Sequence, residues 1–489
     1  MFDIVGFIIL SALGSFFTAL AASPKKQWKL WFLASSKTIY DEPQSFSVHE
    51  AEKSDDAKLL QEINNMADCH ETAALLADLI RKDGAGCWPP RAEHDHTAWP
   101  AALRPYRQIY EEVASLLPTE HVSLDDEVNK SRITSFRTRL QQLLHERVDL
   151  AQVEALLAAA DAGRWDVFPR DTYNAFYACI AWCRHAYRWA TIPVVRLAQL
   201  EKTLPLPREL SLPWTYLQSH FGLCSESGNN TSNLVLNFTP SGTYALQINP
   251  GLSQRITTSE EAFARVFHEV EVLGLPVYHA VVSAVLAHAR GDMVGCLTHA
   301  RRVAAQLRPL LSSYYDRVHD ARIAKSAWLS HVQGFYAWGL GLEGEDGEGE
   351  RQQGGKEVVK FDGLSGNQVL LFQVLDAFLG IEPYLSEENL NRNVPEKQRV
   401  FCRAVERHSF RSRLGTDGVE GQIRGELGEI VKRLRLFRTA HRSRAKAYLS
   451  QPAPERLPMT AGKSLLKEDM DQSLEYLDEF MVGRLAQTV

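Results

Sequence analysis

The chain has 489 residues, 45% of them hydrophobic and 23% charged, with a formal net charge of −6. That balance is globular, enough for two or three domains or one large helical one, and its slight acidity argues against nucleic acid as a partner. Its seven cysteines are scattered and form no CxxC pair, so neither a zinc cluster nor a disulfide framework is indicated.

The first element is "IVGFIILSALGSFFTALAA" (4–22), an uncharged apolar run long enough to span a bilayer. A secretory signal is the competing reading, but the preceding "MFD" carries an acid and no Lys or Arg. Lys25, Lys26 and Lys29 follow the run, which by the positive-inside rule puts the body in the cytosol. The expectation is a membrane anchor over 1–24 with a cytosolic body. The alternatives are a soluble cytoplasmic chain, or a secretory one if 1–22 is cleaved. In the cytosol the sequons at Asn229, Asn230 and Asn237 stay unused.

Residues 25–135 read as a small mixed N-terminal region containing the loop "GAGCWPPRAEHDHTAWPAALRP". Its "HDH", His94 to His96, has the look of a metal pair but no third ligand nearby, so it reads as a surface loop. From 136 to 450 the expectation is an all-α domain with amphipathic helices at 136–162, 171–192, 260–290, 292–325, 327–342, 366–380, 395–413 and 419–450. One β-prone stretch, 233–249, reads as a hairpin turning at Pro-Ser-Gly. The acidic, Gly-rich stretch 341–357 reads as a flexible loop. Residues 451–489 read as a linker and a short helix around 464–484.

Within "LFRTAHRSRAKAYL" (436–449), His441 lies on an apolar stripe made by Ile423, Leu427, Ile430, Leu434, Phe437, Ala445 and Tyr448. The steps of three and four are one face of a helix. A buried imidazole needs partners for its nitrogens. Two readings stay open on the residues alone: a core histidine bonded to a backbone carbonyl, or a ligand to a metal or haem iron.

Four segments in order carry a family resemblance. "SEEAFARVFHEVEVLG" (259–274) includes Glu271. "FDGLSGNQVLLFQVLDAFLGIEP" (361–383) carries Ser365, Gln368, Phe372, Gln373, Asp376 and Leu379–Gly380–Ile381. "NVPEKQRVFCRAVERHSFRSRL" (393–414) carries Pro395, Arg399 and Phe401, and the last helix carries Phe437, Arg438 and His441. Together, over roughly 130–450, they resemble the haem domain of the indoleamine 2,3-dioxygenase family. The resemblance implies haem b as cofactor, O2 as co-substrate and His441 as proximal iron ligand. It also implies that Arg438 pairs with a haem propionate and with Asp376, and that Ser365 belongs to the cofactor site. On the residues alone, Arg438 and Asp376 also read as a plain helix–helix salt bridge.

The departures fall on the substrate side. The family holds an amino-acid carboxylate with an arginine in a pattern like "FF..LR…..GW". Aligning Trp338 of "AWLSHVQGFYAWG" with that Trp puts Val332 in the arginine's place and Trp328 among the paired aromatics. His331 is adjacent but points about 100° away on an α-helix. Phe267 stands where many relatives have Ser, next to Phe263, and the family's closing loop is replaced by "MTAGKSLL", of which Gly462 remains. These changes imply oxygen chemistry on a small aromatic or indole substrate other than free tryptophan, with no catalytic side chain beyond the haem. The alternatives are a haem mono-oxygenase or peroxygenase on the same scaffold, or a non-catalytic haem and O2 binder.

Overall fold

A computed structural model describes residues 47–81, 90–119, 122–201, 204–336, 365–450 and 470–489. The expected anchor (1–24), the acidic loop (341–357), Gly462 and Trp338 lie outside the described residues. The chain divides into two compact units, Met1–Leu59 and Leu60–Val489. Of the first, residues 47–59 are described, all within the helix Ser47–Met66.

The second unit is helical. Its helices are α1 (Glu71–Arg81), α2 (Arg104–Val113), α3 (Asp126–Arg147), α4 (Leu150–Asp161), α5 (Arg170–Trp189), α6 (Arg208–Phe221), α7 (Gln254–Ala289), α8 (Met293–Arg317), α9 (Leu370–Leu379), α10 (Glu387–Asn393), α11 (Glu396–Arg407), α12 (Gly418–Leu449) and α13 (Met470–Gln487). The all-α expectation holds for the described residues, but the small mixed N-terminal region does not. Residues 60–135, where described, are helices and short connections within the same compact unit as the rest. The expected hairpin at 233–249 is also corrected. Thr231–Val235 forms a π-helical turn, and only one isolated antiparallel bridge, Phe238 to Tyr244, remains of the pairing.

Local signals explain the helix ends. Asp149 caps α4, accepting from the Gln152 backbone N–H at 3.2 Å. That cap splits the single helix expected over 136–162 into α3 and α4. Gly291, at φ +74°, turns α7 into α8, and the Asp292 carboxylate caps α8 at the Gly295 N–H, 2.8 Å away. Helix α7 packs along α8, α8 along α12, and α13 along α12, while α9 packs on α7 and α11. The stripe read in the sequence is the buried face of α12: Ile423, Leu427, Ile430 and Leu434 are each fully buried. Each contributes roughly 1.5–3 kcal/mol by leaving water. Among the described residues only α7 is long and apolar enough to cross a membrane, and 83% of its most apolar window is buried inside the protein, so its apolar character serves the core.

His94 is not on a surface loop. It is buried and its Nε2 lies 2.8 Å from the Leu236 carbonyl. His268, on α7, is likewise buried, with Nδ1 2.9 Å from the Val235 carbonyl. Burial lowers both imidazoles from 6.5 to about 4. The unfolded chain therefore takes up protons on these rings as pH falls through 6.5, whereas the folded chain does so only near 4. Stability is lost across that window, by up to about 1.4 kcal/mol per pH unit for each ring. The urea midpoint is expected to fall steadily from pH 6.5 to 4, and His94→Gln should make the fall shallower. A midpoint flat across that range would contradict the argument.

Candidate functional site

Helix α12 presents His441 to a cluster of aromatic rings from three helices. Its imidazole lies 6.1 Å from the Tyr314 ring of α8 and 6.2 Å from Phe437, one turn earlier on α12. Phe437 stacks at 5.3 Å on Phe372 of α9 and meets Tyr314 edge-on at 5.0 Å. Phe437, Phe372 and Tyr314 are buried, and His441 is partly open. Among the described residues no donor or acceptor reaches either ring nitrogen of His441. The backbone-carbonyl partner of a core histidine is therefore not found among them. Burial, reinforced by the nearby Arg444 guanidinium, lowers the imidazole to about 4, so it is neutral at physiological pH. A neutral, partly open imidazole in an apolar frame is the form that ligates iron.

Arg438 lies one turn before His441 and is also buried. Its Nη2 donates to both oxygens of Asp376 on α9, at 2.8 and 3.0 Å. Asp376 takes a second arginine as well. Arg484 of α13 also donates to Asp376, and Arg438 Nη1 donates to Thr488 Oγ1 at 2.6 Å. Thr488 in turn donates to the Arg484 carbonyl at 2.8 Å. Two guanidiniums thus share one carboxylate, and desolvation lowers both from 12.5 to about 10. These bonds use three of the five N–H groups of Arg438 inside the protein.

Ser365 opens the turn into α9 by accepting from Asn367 N–H at 3.3 Å, and its own N–H donates to Gln368 Oε1 at 3.3 Å. This capping box is the physical content of the Ser365/Gln368 match. Asn230 Nδ2 ties the Ser365 carbonyl from the side at 2.5 Å. Glu271 of α7 accepts the Leu370 N–H at 2.9 Å, setting a carboxylate at the positive end of α9. A Cβ on Gly366 would lie 3.4 Å from Tyr314 Oη, so the turn passes close beside the His441 cluster. At the other end of α9, Gly380 takes φ +65° and the Ile381 N–H bonds back to the Asp376 carbonyl at 2.9 Å.

The expected substrate residues gather in part. Phe263 and Phe267 of α7 meet at 5.3 Å, Phe263 reaches Trp328 at 5.9 Å, and Trp328 reaches Tyr448 of α12 at 5.6 Å. Val332 is fully buried. The segment is not the regular α-helix expected over 327–342: Trp328–Gln333 is a π-helical turn between Lys325–Ala327 and Gly334–Tyr336. Its wider turn voids the 100° separation assumed for His331 and Val332, and such turns recur at functional sites. A buried network holds it. Asn249 Nδ2 donates to the His331 carbonyl at 3.0 Å and to Glu260 at 2.8 Å, and Tyr244 Oη donates to Glu260 at 2.9 Å. Tyr336 lies beside Phe263 at 6.1 Å, with its hydroxyl 3.5 Å from that of Tyr244.

Sequence reasoning missed Arg484, Thr488, Tyr314 and Tyr336. "GRLAQTV" at the C-terminus carries no periodic or motif signal. Tyr314 was legible only as one more apolar position on α8. Among the described residues no cluster of three or more His, Cys, Asp or Glu could hold a metal ion. No curated protein matches the chain. The family model for indoleamine 2,3-dioxygenase matches residues 170–479, from α5 to the middle of α13, and the chain belongs to that family.

Proposed function

We propose that the chain is a haem-dependent oxygenase that inserts O2 into an indole-containing substrate lacking a free carboxylate, with His441 as the proximal ligand. The observation that carries the reading is the neutral His441 imidazole, without a polar partner among the described residues, in an apolar ring frame. His441 would hold the iron and Arg438 a propionate, with Ser365 on the turn beside them. When bound, haem supplies the oxygen chemistry, which in this family opens the indole C2–C3 bond and keeps both oxygen atoms. The protein's own part is to fix the ligand and to provide a dry aromatic wall from Phe263, Phe267 and Trp328. Membrane attachment through residues 1–24 remains part of the proposal. It is tested by fractionation of the intact chain.

The substrate preference rests on Val332. With an aliphatic side chain in the arginine's place, a substrate carboxylate gains no charge-assisted bond there. Such a bond is worth roughly 1.5–3 kcal/mol, so free L-tryptophan should be slower than carboxylate-free indoles by about ten- to a hundredfold in kcat/KM. The test begins with ferric, ferrous and ferrous–CO spectra of the expressed protein, followed by turnover of L-tryptophan, tryptamine and 3-methylindole with product masses. A gain of two oxygen atoms on the carboxylate-free indoles, with Val332→Arg in a Trp328→Phe background raising tryptophan turnover, is the expected outcome. Ordinary dioxygenase efficiency of the wild type on tryptophan, or a haem-free protein, would refute the reading.

A further inference from the structure

A cavity of about 270 Å³ lies between α9, α10, α11 and α13, and His441 is not among its lining residues. For scale, an apolar cavity of roughly 150 Å³ takes a benzene ring. One wall is a stripe of α11, with Arg399, Cys402, Arg403 and Glu406 at the i, i+3, i+4 and i+7 positions of one helical face. Phe372, Tyr384, Leu385 and Leu390 give the cavity an apolar side.

The polar groups of the lining are unevenly satisfied. Arg403 pairs with Glu387 at 3.1 Å, and Asp376 is shared by Arg438 and Arg484. Arg399 donates to the Gly222 carbonyl at 2.8 Å and to the Asn391 amide oxygen, but no carboxylate among the described residues comes within ion-pair reach of it. The buried Nε groups of Arg399 and Arg484 have no acceptor among the described residues. Both orphaned atoms of the lining are donors, and no lining acceptor is orphaned. An unmet buried donor costs roughly 1–3 kcal/mol, more when charged, so the missing partner is an acceptor.

We propose that this cavity is a second binding site, for a small organic acid whose carboxylate meets Arg399 and whose apolar body lies against Leu390, Leu385 and Tyr384. A planar guanidinium with an unmet N–H and no described carboxylate within ion-pair reach suits a carboxylate, which can take two of its N–H groups at once. Glu406, two turns further along the same face of α11, sets a negative charge in the lining against a second carboxylate, which selects a monocarboxylate over a dicarboxylate. The lining holds neither His441 nor any residue of the Phe263–Trp328 cluster and shares only Phe372 and Asp376 with the surroundings of His441, so the titration below needs neither iron nor substrate.

The test is calorimetric titration of the full-length protein with 3-phenylpropionate and with its neutral amide, using the wild type, Leu390→Trp and Arg399→Gln. Leu390→Trp fills the cavity without removing a charge. The acid should bind the wild type one to one, the amide at least tenfold more weakly, and Leu390→Trp should lose the binding. Arg399→Gln should bring the acid down to the amide's level. Far-ultraviolet circular dichroism identifies a variant that has failed to fold, in which case the acid–amide difference on the wild type and the remaining variant decide. No binding of the acid to the wild type at millimolar concentration, equal binding of acid and amide, or undiminished binding by folded Leu390→Trp would each overturn the proposal.

Discussion

His441→Ala should yield a folded protein that no longer retains haem. Truncation removes an imidazole that makes ring contacts with Tyr314 and Phe437 and no hydrogen bond to any described residue, so the fold loses packing but leaves no protein donor or acceptor orphaned. Haem affinity loses its one covalent anchor. Because the imidazole is lowered to about 4, it is a neutral lone-pair donor from pH 5 upward, and haem retention in the wild type should be insensitive to pH over that range. In His441→Ala, added imidazole should enter the space left by the side chain and restore the ferrous–CO band in part. Haem content by pyridine haemochrome, beside circular dichroism, separates loss of ligand from loss of fold. An alanine variant with full haem content and an unchanged ferrous–CO band would remove His441 from the site.

The parts of the molecule that were readable in the sequence are those governed by short-range rules. The α12 stripe is periodic because one face must be buried, so Ile423 to Tyr448 marked both the helix and the direction His441 faces. Ser365 with Gln368 spells a capping box, and Gly380 an αL terminus, so the helix expected over 366–380 meets α9 within four residues at its start and one at its end. What escaped is long-range. The offset of His331 from Val332 was read as that of an α-helix, and the segment is instead a π turn at Trp328–Gln333, where the Glu260–Asn249 network, distant in sequence, grips the His331 carbonyl. Likewise His94 reads as a loop residue until the Leu236 carbonyl, 142 positions away, supplies its partner. Arg484 joins Asp376 from 108 residues away, and no local pattern requires an arginine there.

The arginine that the sequence missed makes the second large effect. Asp376 is the only carboxylate among the described residues that forms an ion pair with Arg438 or with Arg484, and the side chains of the three residues are 7, 9 and 5% exposed. Replacing it by alanine leaves two guanidiniums desolvated, facing each other across the space it filled. Removing one partner of a buried ion pair costs roughly 3–5 kcal/mol, against about 5–15 kcal/mol for the whole stability of an ordinary folded protein. Here the repulsion of the two arginines adds to that. Asp376→Asn keeps an acceptor oxygen but not the charge, and should fall between alanine and the wild type. Removing one of the two cations should relieve the strain, so Arg484→Leu in the Asp376→Ala background is expected to be more stable than Asp376→Ala alone, a coupling that a double-mutant cycle in urea measures directly. The consequence extends to the iron side. Asp376 anchors Arg438 one helical turn from His441, on the same side of α12, so Asp376→Ala should also weaken haem retention without touching the ligand, whereas the Arg484→Leu double variant should recover stability more fully than haem affinity, because Arg438 still lacks its carboxylate. If Asp376→Ala unfolds within about 1 kcal/mol of the wild type, the value of a solvated surface pair, then the three charges are hydrated in solution and the link from α13 through Asp376 to His441 is not made.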